Sequence, residues 1–165
     1  HKSPGPDGIH PRILYEVQNE IANALKIIFI NSLQSHQVPL DWKAGNITPI
    51  FKKGRKIDAS NYRPISLTSI VCKLFESIIR DHIVQHFIAN NLFSSKQYGF
   101  IKGRSTVLQV LKILDDWTEM LEYGGQIDVI YTDFEKAFDR VPHNRLISKF
   151  HSYNIYVDIS NWIKA

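Results

Sequence analysis

The chain is expected to fold as a helix-rich α+β unit. Three features carry this expectation. Apolar residues recur at helical spacing along three long stretches, two short extended runs flank a basic glycine-containing turn, and an apolar run leads into a tight turn at Asp133.

The 165 residues, 44% hydrophobic and 22% charged, have the balance of a globular domain large enough to bury one core. No repeat, low-complexity tract or dividing linker interrupts residues 1–165, so one domain, or part of one, is expected. Twenty Lys plus Arg against sixteen Asp plus Glu suit a polyanionic partner without requiring one. The single cysteine, Cys72, excludes an intrachain disulfide and a cysteine zinc cluster, and is compatible with an intracellular compartment. No apolar run approaches the roughly 20 residues that span a bilayer, so no membrane partner is expected. The start at His1, Lys2 and Ser3 has neither signal-peptide architecture nor an initiator methionine, which reads as an internal fragment. The sequon Asn46-Ile47-Thr48 is followed by Pro49 in an extended run and carries no inference.

Taken in order, Ser3 to Ile9 is turn chemistry, and Pro11 stands where a helix can begin without losing a useful amide hydrogen. Leu14, Val17, Ile21, Ala24, Leu25 and Ile28 then trace one helical stripe, closed before Pro39. Asn46–Phe51 and Asn61–Leu67 are expected as a two-stranded hairpin, with Pro49 and Pro64 at edge positions. Ile70, Leu74, Ile78, Ile83 and Phe87 trace a long helix, and Val107, Leu111, Leu114 and Leu121 another. The double glycine Gly124-Gly125 breaks that helix, and Ile127 to Asp133 follows as a mostly buried strand. Such a strand would hold Asp133 rigidly at a sheet edge; the bland alternative is that Asp133 and Asp139 cap a turn or the next helix. Residues 144–165 are expected to be helical in their first part, with no assignment for the rest.

Lys52, Lys53, Arg55 and Lys56 crowd the hairpin turn, where they could grip phosphates or simply solvate a hairpin tip. His82 and His86 stand four apart on a helix, but the intervening residues lack the glutamate of a zinc protease and no third ligand is evident. A P-loop fails at Gln97–Thr106: Gly99 and Gly103 are one residue too close, Arg104 stands for the lysine, and no hydrophobic strand precedes it.

Four blocks occur in fixed order: SPGPDGI, NYRPISL, QYGFIKGRST and IDVIYTDFEKAFDRVPH. Together they resemble the reverse transcriptases of non-LTR (LINE-like) retrotransposons, over nearly the whole chain from Ser3 to at least His143. The resemblance implies a right-hand fold of fingers, palm and thumb. This segment would supply the fingers, with a small antiparallel hairpin, and the first strand of an incomplete palm sheet. It implies RNA-directed DNA polymerase activity through two Mg2+ ions, with an RNA template, a DNA primer, dNTPs and the remainder of the polypeptide as partners, acting in the nucleus.

By the same resemblance Asp133 is the catalytic carboxylate and a metal ligand, with the Phe134 carbonyl a second ligand. Arg63, Lys52 and Lys53 would meet the triphosphate. Lys136 and Ala137 would turn backbone amides to it, and Phe138 would block a ribose 2′-hydroxyl, unless it is an ordinary core phenylalanine. Gln97, Gly99, Lys102, Gly103 and Arg104 would touch the template. Asp7 and Gly8 are turn formers rather than catalysts. The family also needs a downstream hairpin with an adjacent aspartate pair and a Gly-Pro-Gln-Gly type segment, neither of which this sequence contains, so these residues alone are expected to be inactive. The rivals are a non-catalytic nucleic-acid-binding remnant and a helical interaction module with accidental motifs.

Overall fold

A computed structural model describes residues 3–165; the expectation resting on His1 and Lys2 lies outside them. Seven α-helices and one hairpin are present among the described residues. In order these are α1 (Pro11–Glu16), α2 (Gln18–Ser35), α3 (Leu40–Lys43), β1 (Gly45–Phe51), β2 (Tyr62–Thr68), α4 (Ile70–Ala89), α5 (Thr106–Glu122), α6 (His143–Ser152) and α7 (Val157–Lys164). The helix-rich α+β class and the antiparallel hairpin are therefore as expected. Two compact units form, one from residues up to His86 together with His143–Ala165, the other from Phe87–Pro142.

The first unit has the core. Phe75 of α4 stacks on Phe29 of α2 at 4.5 Å and meets Trp162 of α7 edge-on at 4.8 Å. Trp42 of α3 closes the group edge-on to Phe29 and Phe75. Such rings bury large apolar areas, and pairwise geometry adds about 0.5–1.5 kcal/mol per contact. The Trp162 indole is satisfied, since its N–H donates to Ser32 Oγ at 2.9 Å and that hydroxyl donates to the Gln37 carbonyl at 2.6 Å. Helix α2 ends over the same serine: His36 adopts φ 54° and Gln37 N–H donates back to the Ser32 carbonyl. These bonds close the last turn in the manner of a Schellman motif.

Three sequence expectations are corrected here. The first helix is broken at Val17, and its inward residues are Leu14, Ile21, Leu25 and Phe29, whereas Val17, Ala24 and Ile28 are exposed. Helix α4 buries Val71, Cys72, Phe75 and Ile79, while Leu74 and Ile78 are exposed. Both rotations follow from α7, whose Ile159 and Trp162 pack from far along the chain onto faces that local spacing alone cannot select.

The third correction concerns the expected strand. Residues 127–133 form no strand, and Val129, Ile130 and Tyr131 are exposed. A strand exists through its ladder, and the single sheet among the described residues contains only β1 and β2. With no neighbour, these amides have no ladder partner and the apolar side chains have no sheet face to share. Helix α5, in the same unit, likewise buries none of its residues, so the stripe Val107, Leu111, Leu114 and Leu121 is an exposed face. Ser105 caps its first turn through Leu108 N–H, and Gly124 at φ 73° ends the last, where the double glycine was expected to break it.

Candidate functional site

The motif residues of the first unit are locked from both sides. Gly5 of SPGPDGI is buried against the β2–α4 junction, where an added Cβ would lie 2.6 Å from the Thr68 carbonyl oxygen and 2.8 Å from the Ser69 nitrogen. Only glycine permits that approach. Asp7 Oδ1 accepts from Ile9 N–H, Gly8 N–H donates to the Gly5 carbonyl, and Gly8 has φ 69°. This is the turn chemistry read from the sequence.

In the hairpin, Pro49 stands opposite Pro64 and Ile50 opposite Arg63. The Lys52 N–H bonds the Asn61 carbonyl at 2.8 Å, which makes that opposed pair a hydrogen-bonded one. Alternation along an antiparallel ladder then puts the two prolines at a non-hydrogen-bonded pair, the register in which neither proline costs a ladder bond. The same alternation sets Arg63 on the face of Ile50, opposite to the face of Phe51 and Tyr62. Arg63, Lys52 and Lys53 are exposed, and Pro64 holds the Arg63 backbone extended. Sequence reasoning missed Asn61, whose amide donates to the Arg55 carbonyl at 2.9 Å and packs where a Cβ on Gly54 would fall. No spacing in the sequence marks this role, because it is the folded turn that brings the Asn61 amide to the Arg55 carbonyl.

The remaining predicted residues stand in the second unit. One Arg104 terminal nitrogen donates to the carbonyls of Ser94, Ser95 and Gln97, and the guanidinium lies 5.8 Å from the Tyr98 ring centroid. Arg104 thus organises its own loop, with Gln97 bonding the Gly99 carbonyl. Lys102 and Gly103, the latter at φ 82°, stay exposed on it.

Asp133 is exposed and has no hydrogen-bond or ion-pair partner among the described residues. Phe134 follows at 81% exposure and Lys136 takes φ 52°, within a turn that Arg140 closes through its N–H to the Lys136 carbonyl and its ion pair with Glu135. Ala137 is exposed in the same turn. Phe138 is 82% exposed. Asp139 caps no helix, because α6 begins only at His143. Asp115 and Asp116 are adjacent but helical, and Asp116 pairs with Lys112 at 2.6 Å. Among the described residues, no three His, Cys, Asp or Glu side chains are grouped to hold a metal ion, and no helix is long and apolar enough to cross a membrane.

An exposed arginine on a proline-flanked hairpin and an unpartnered carboxylate ahead of a turn are arrangements that many folds share. Here sequence similarity decides the class. Residues 50–165 match the family described as reverse transcriptase (RNA-dependent DNA polymerase), and the chain belongs to that family. It is 32% identical over 149 residues to a probable RNA-directed DNA polymerase from transposon BS of Drosophila melanogaster, covering 90% of this chain and 16% of that protein. It is 29% identical over 144 residues to the corresponding protein from transposon X-element of the same fly, covering 87% and 16%. A Pol polyprotein from a type-1 retrotransposable element R2 of Nasonia vitripennis is 24% identical over 161 residues, covering 96% and 15%. The chain thus spans about one sixth of the length of these curated relatives.

Proposed function

We propose that this chain is the fingers and the start of the palm of a non-LTR retrotransposon reverse transcriptase, which copies RNA into DNA from a DNA primer in the nucleus. The observation that carries the reading is the family match over residues 50–165, a span that contains Arg63, the Gln97–Arg104 loop and Asp133 together. Polymerisation is phosphoryl transfer, governed by positioning and charge neutralisation. Arg63 suits the incoming triphosphate because a planar fork meets phosphate oxygens two at a time. Lys52 and Lys53 add charge beside it, while Lys102 and the Gln97–Gly99 turn support a sugar-phosphate contact to the template.

A divalent ion in such an enzyme neutralises charge on the attacking and leaving oxygens. The residues here fit part of one magnesium shell, since that ion takes one or two carboxylates with phosphates and waters. Asp133 and the Phe134 carbonyl would supply it. One free carboxylate is no fit for two ions, and a two-ion centre belongs to the proposal for the whole protein. In this chain's own terms, Asp133 is free to bind, Lys136 and Ala137 offer amides in a tight turn, and the exposed Phe138 ring is available to exclude a 2′-hydroxyl.

Titration of the 165-residue chain with dNTP, with and without magnesium, tests this reading. Magnesium-dependent binding lost in Asp133→Asn is expected. RNA binding indifferent both to that substitution and to chelation, with no dNTP binding, would favour the non-catalytic remnant. Absence of salt-dependent RNA affinity would favour the helical interaction module.

A further inference from the structure

Asn61 opens the NYRPISL block, yet the resemblance gives it no part in the chemistry. We propose that Asn61 is a positioning residue for the phosphate chain of the incoming nucleotide. It holds Lys52 beside Arg63, and so gives the hairpin its preference for a triphosphate over a monophosphate. The inference rests on the function proposed above, in which Arg63, Lys52 and Lys53 meet that triphosphate.

The hydrogen bond from Lys52 N–H to the Asn61 carbonyl, at 2.8 Å, carries the strand pairing one step beyond Phe51 and Tyr62. Side chains alternate between faces, so Lys52 falls on the face of Ile50 and Arg63. There it is the diagonal neighbour of Arg63, at roughly 7–8 Å. Past this pair the chain turns back, and the Asn61 side chain holds the turn. Its amide donates to the Arg55 carbonyl at 2.9 Å. The Gly54 backbone, at φ 84°, runs so close that an added Cβ would lie 2.7 Å from the amide nitrogen. The Asp58 N–H donates to the same Arg55 carbonyl at 3.2 Å, and the Asn61 N–H to the Asp58 carbonyl at 3.0 Å, so both limbs of the loop are tied at one point.

Charge makes this order matter. Lys52, Lys53, Arg55 and Lys56 stand between Phe51 and Tyr62 with Asp58 as the only acid. Like charges repel one another, and a slack loop would spread them into solvent. A loop tied at Arg55 instead fixes its near limb, and with it the lysine that shares a face with Arg63. Two cations side by side match a chain of adjoining phosphates, which offers each of them its own oxygens, whereas a single phosphate leaves them in competition. Asn61 acts through Lys52 and not by touching the nucleotide, because its amide is already committed to the Arg55 carbonyl.

The test titrates the 165-residue chain with a deoxynucleoside triphosphate and with the matching monophosphate, each in magnesium, by calorimetry. The wild type is expected to prefer the triphosphate. Lys52→Gln, at an exposed position, is expected to lose about tenfold in triphosphate affinity and to change the monophosphate little. Asn61→Ala is expected to match that loss. The double variant Lys52→Gln/Asn61→Ala is then expected to lose no more than either alone, a result that general damage to the fold would not reproduce. Gly54→Ala displaces the same amide from the opposite side of the contact and is expected to act likewise, which keeps the test open should Asn61→Ala unfold. Additive losses in the double variant, equal losses on both nucleotides, or equal wild-type affinity for the two overturn the proposal. So does full triphosphate affinity in any of the single variants. A wild-type preference lost in Lys52→Gln but kept in Asn61→Ala and Gly54→Ala sinks this inference alone, whereas wild-type binding to neither nucleotide sinks the proposed function with it.

Discussion

Arg63 and Asp133 are both exposed, and both adjoin short apolar runs of strand-like composition, yet their surroundings differ in kind. The run around Arg63 is paired along its length with β1, closed at its turn by Asn61 and backed at its far end by Gly5. The run before Asp133 is paired with nothing among the described residues and leaves Ile130 and Tyr131 each 87% exposed. One motif finds its pairing strand, its turn and its backing within this chain, whereas the other has no strand beside it among the described residues.

Core truncation sharpens that contrast most. Phe75→Ala removes the ring that Phe29, Trp42 and Trp162 all touch and is expected to cost about 3–5 kcal/mol in denaturant unfolding. Ile130→Ala, an equally apolar truncation in the unpaired run, is expected to change stability by no more than about 0.5 kcal/mol. Comparable losses would mean that the run is packed after all. Gly5→Ala comes next, at about 1–3 kcal/mol in the same unfolding measurement, since its Cβ would displace the backbone where β2 enters α4. A neutral result would remove SPGPDGI from the scaffold of the hairpin.

The smallest effect concerns Cys72 on the buried face of α4. Burial first, then the Glu76 carboxylate, push its thiol up from 9.0 to about 12. Because the folded thiol holds its proton more tightly than the unfolded one, its contribution to stability is fully present below pH 9.0. That contribution is lost as pH rises toward about 12. At neutral pH a thiol-modifying reagent is expected to react only on unfolding. Fast labelling of the native chain would show that the first unit opens as readily as the second is exposed.

Much of the fold was legible because its signals are local. Pro49, Pro64 and the basic turn announced the hairpin, Gly124 marked the end of α5, and Asp7 and Gly8 announced their turn. The inward faces of α2 and α4 were misassigned by one position, Ile28 for Phe29 and Leu74 for Phe75, because both are chosen by Trp162, more than 80 residues beyond α4's start. Residues 155–165 carried no helical stripe long enough to advertise that role. At the candidate site, the residue types were legible and the exposure of Asp133 and Arg63 suits them. The role of Asn61 and the self-contained hydrogen bonding of Arg104 depend on three-dimensional turn geometry that no spacing rule encodes.

Amide hydrogen exchange on the 165-residue chain, followed peptide by peptide, separates the two regions most directly. Peptides over Val71–Ile79 are expected to exchange only through global unfolding and those over Tyr62–Thr68 at intermediate rates. Those over Ile127–Asp133 are expected to exchange as fast as unstructured chain. Protection of Ile127–Asp133 equal to that of Val71–Ile79 in a monomer would contradict the account of these residues as an unpaired run.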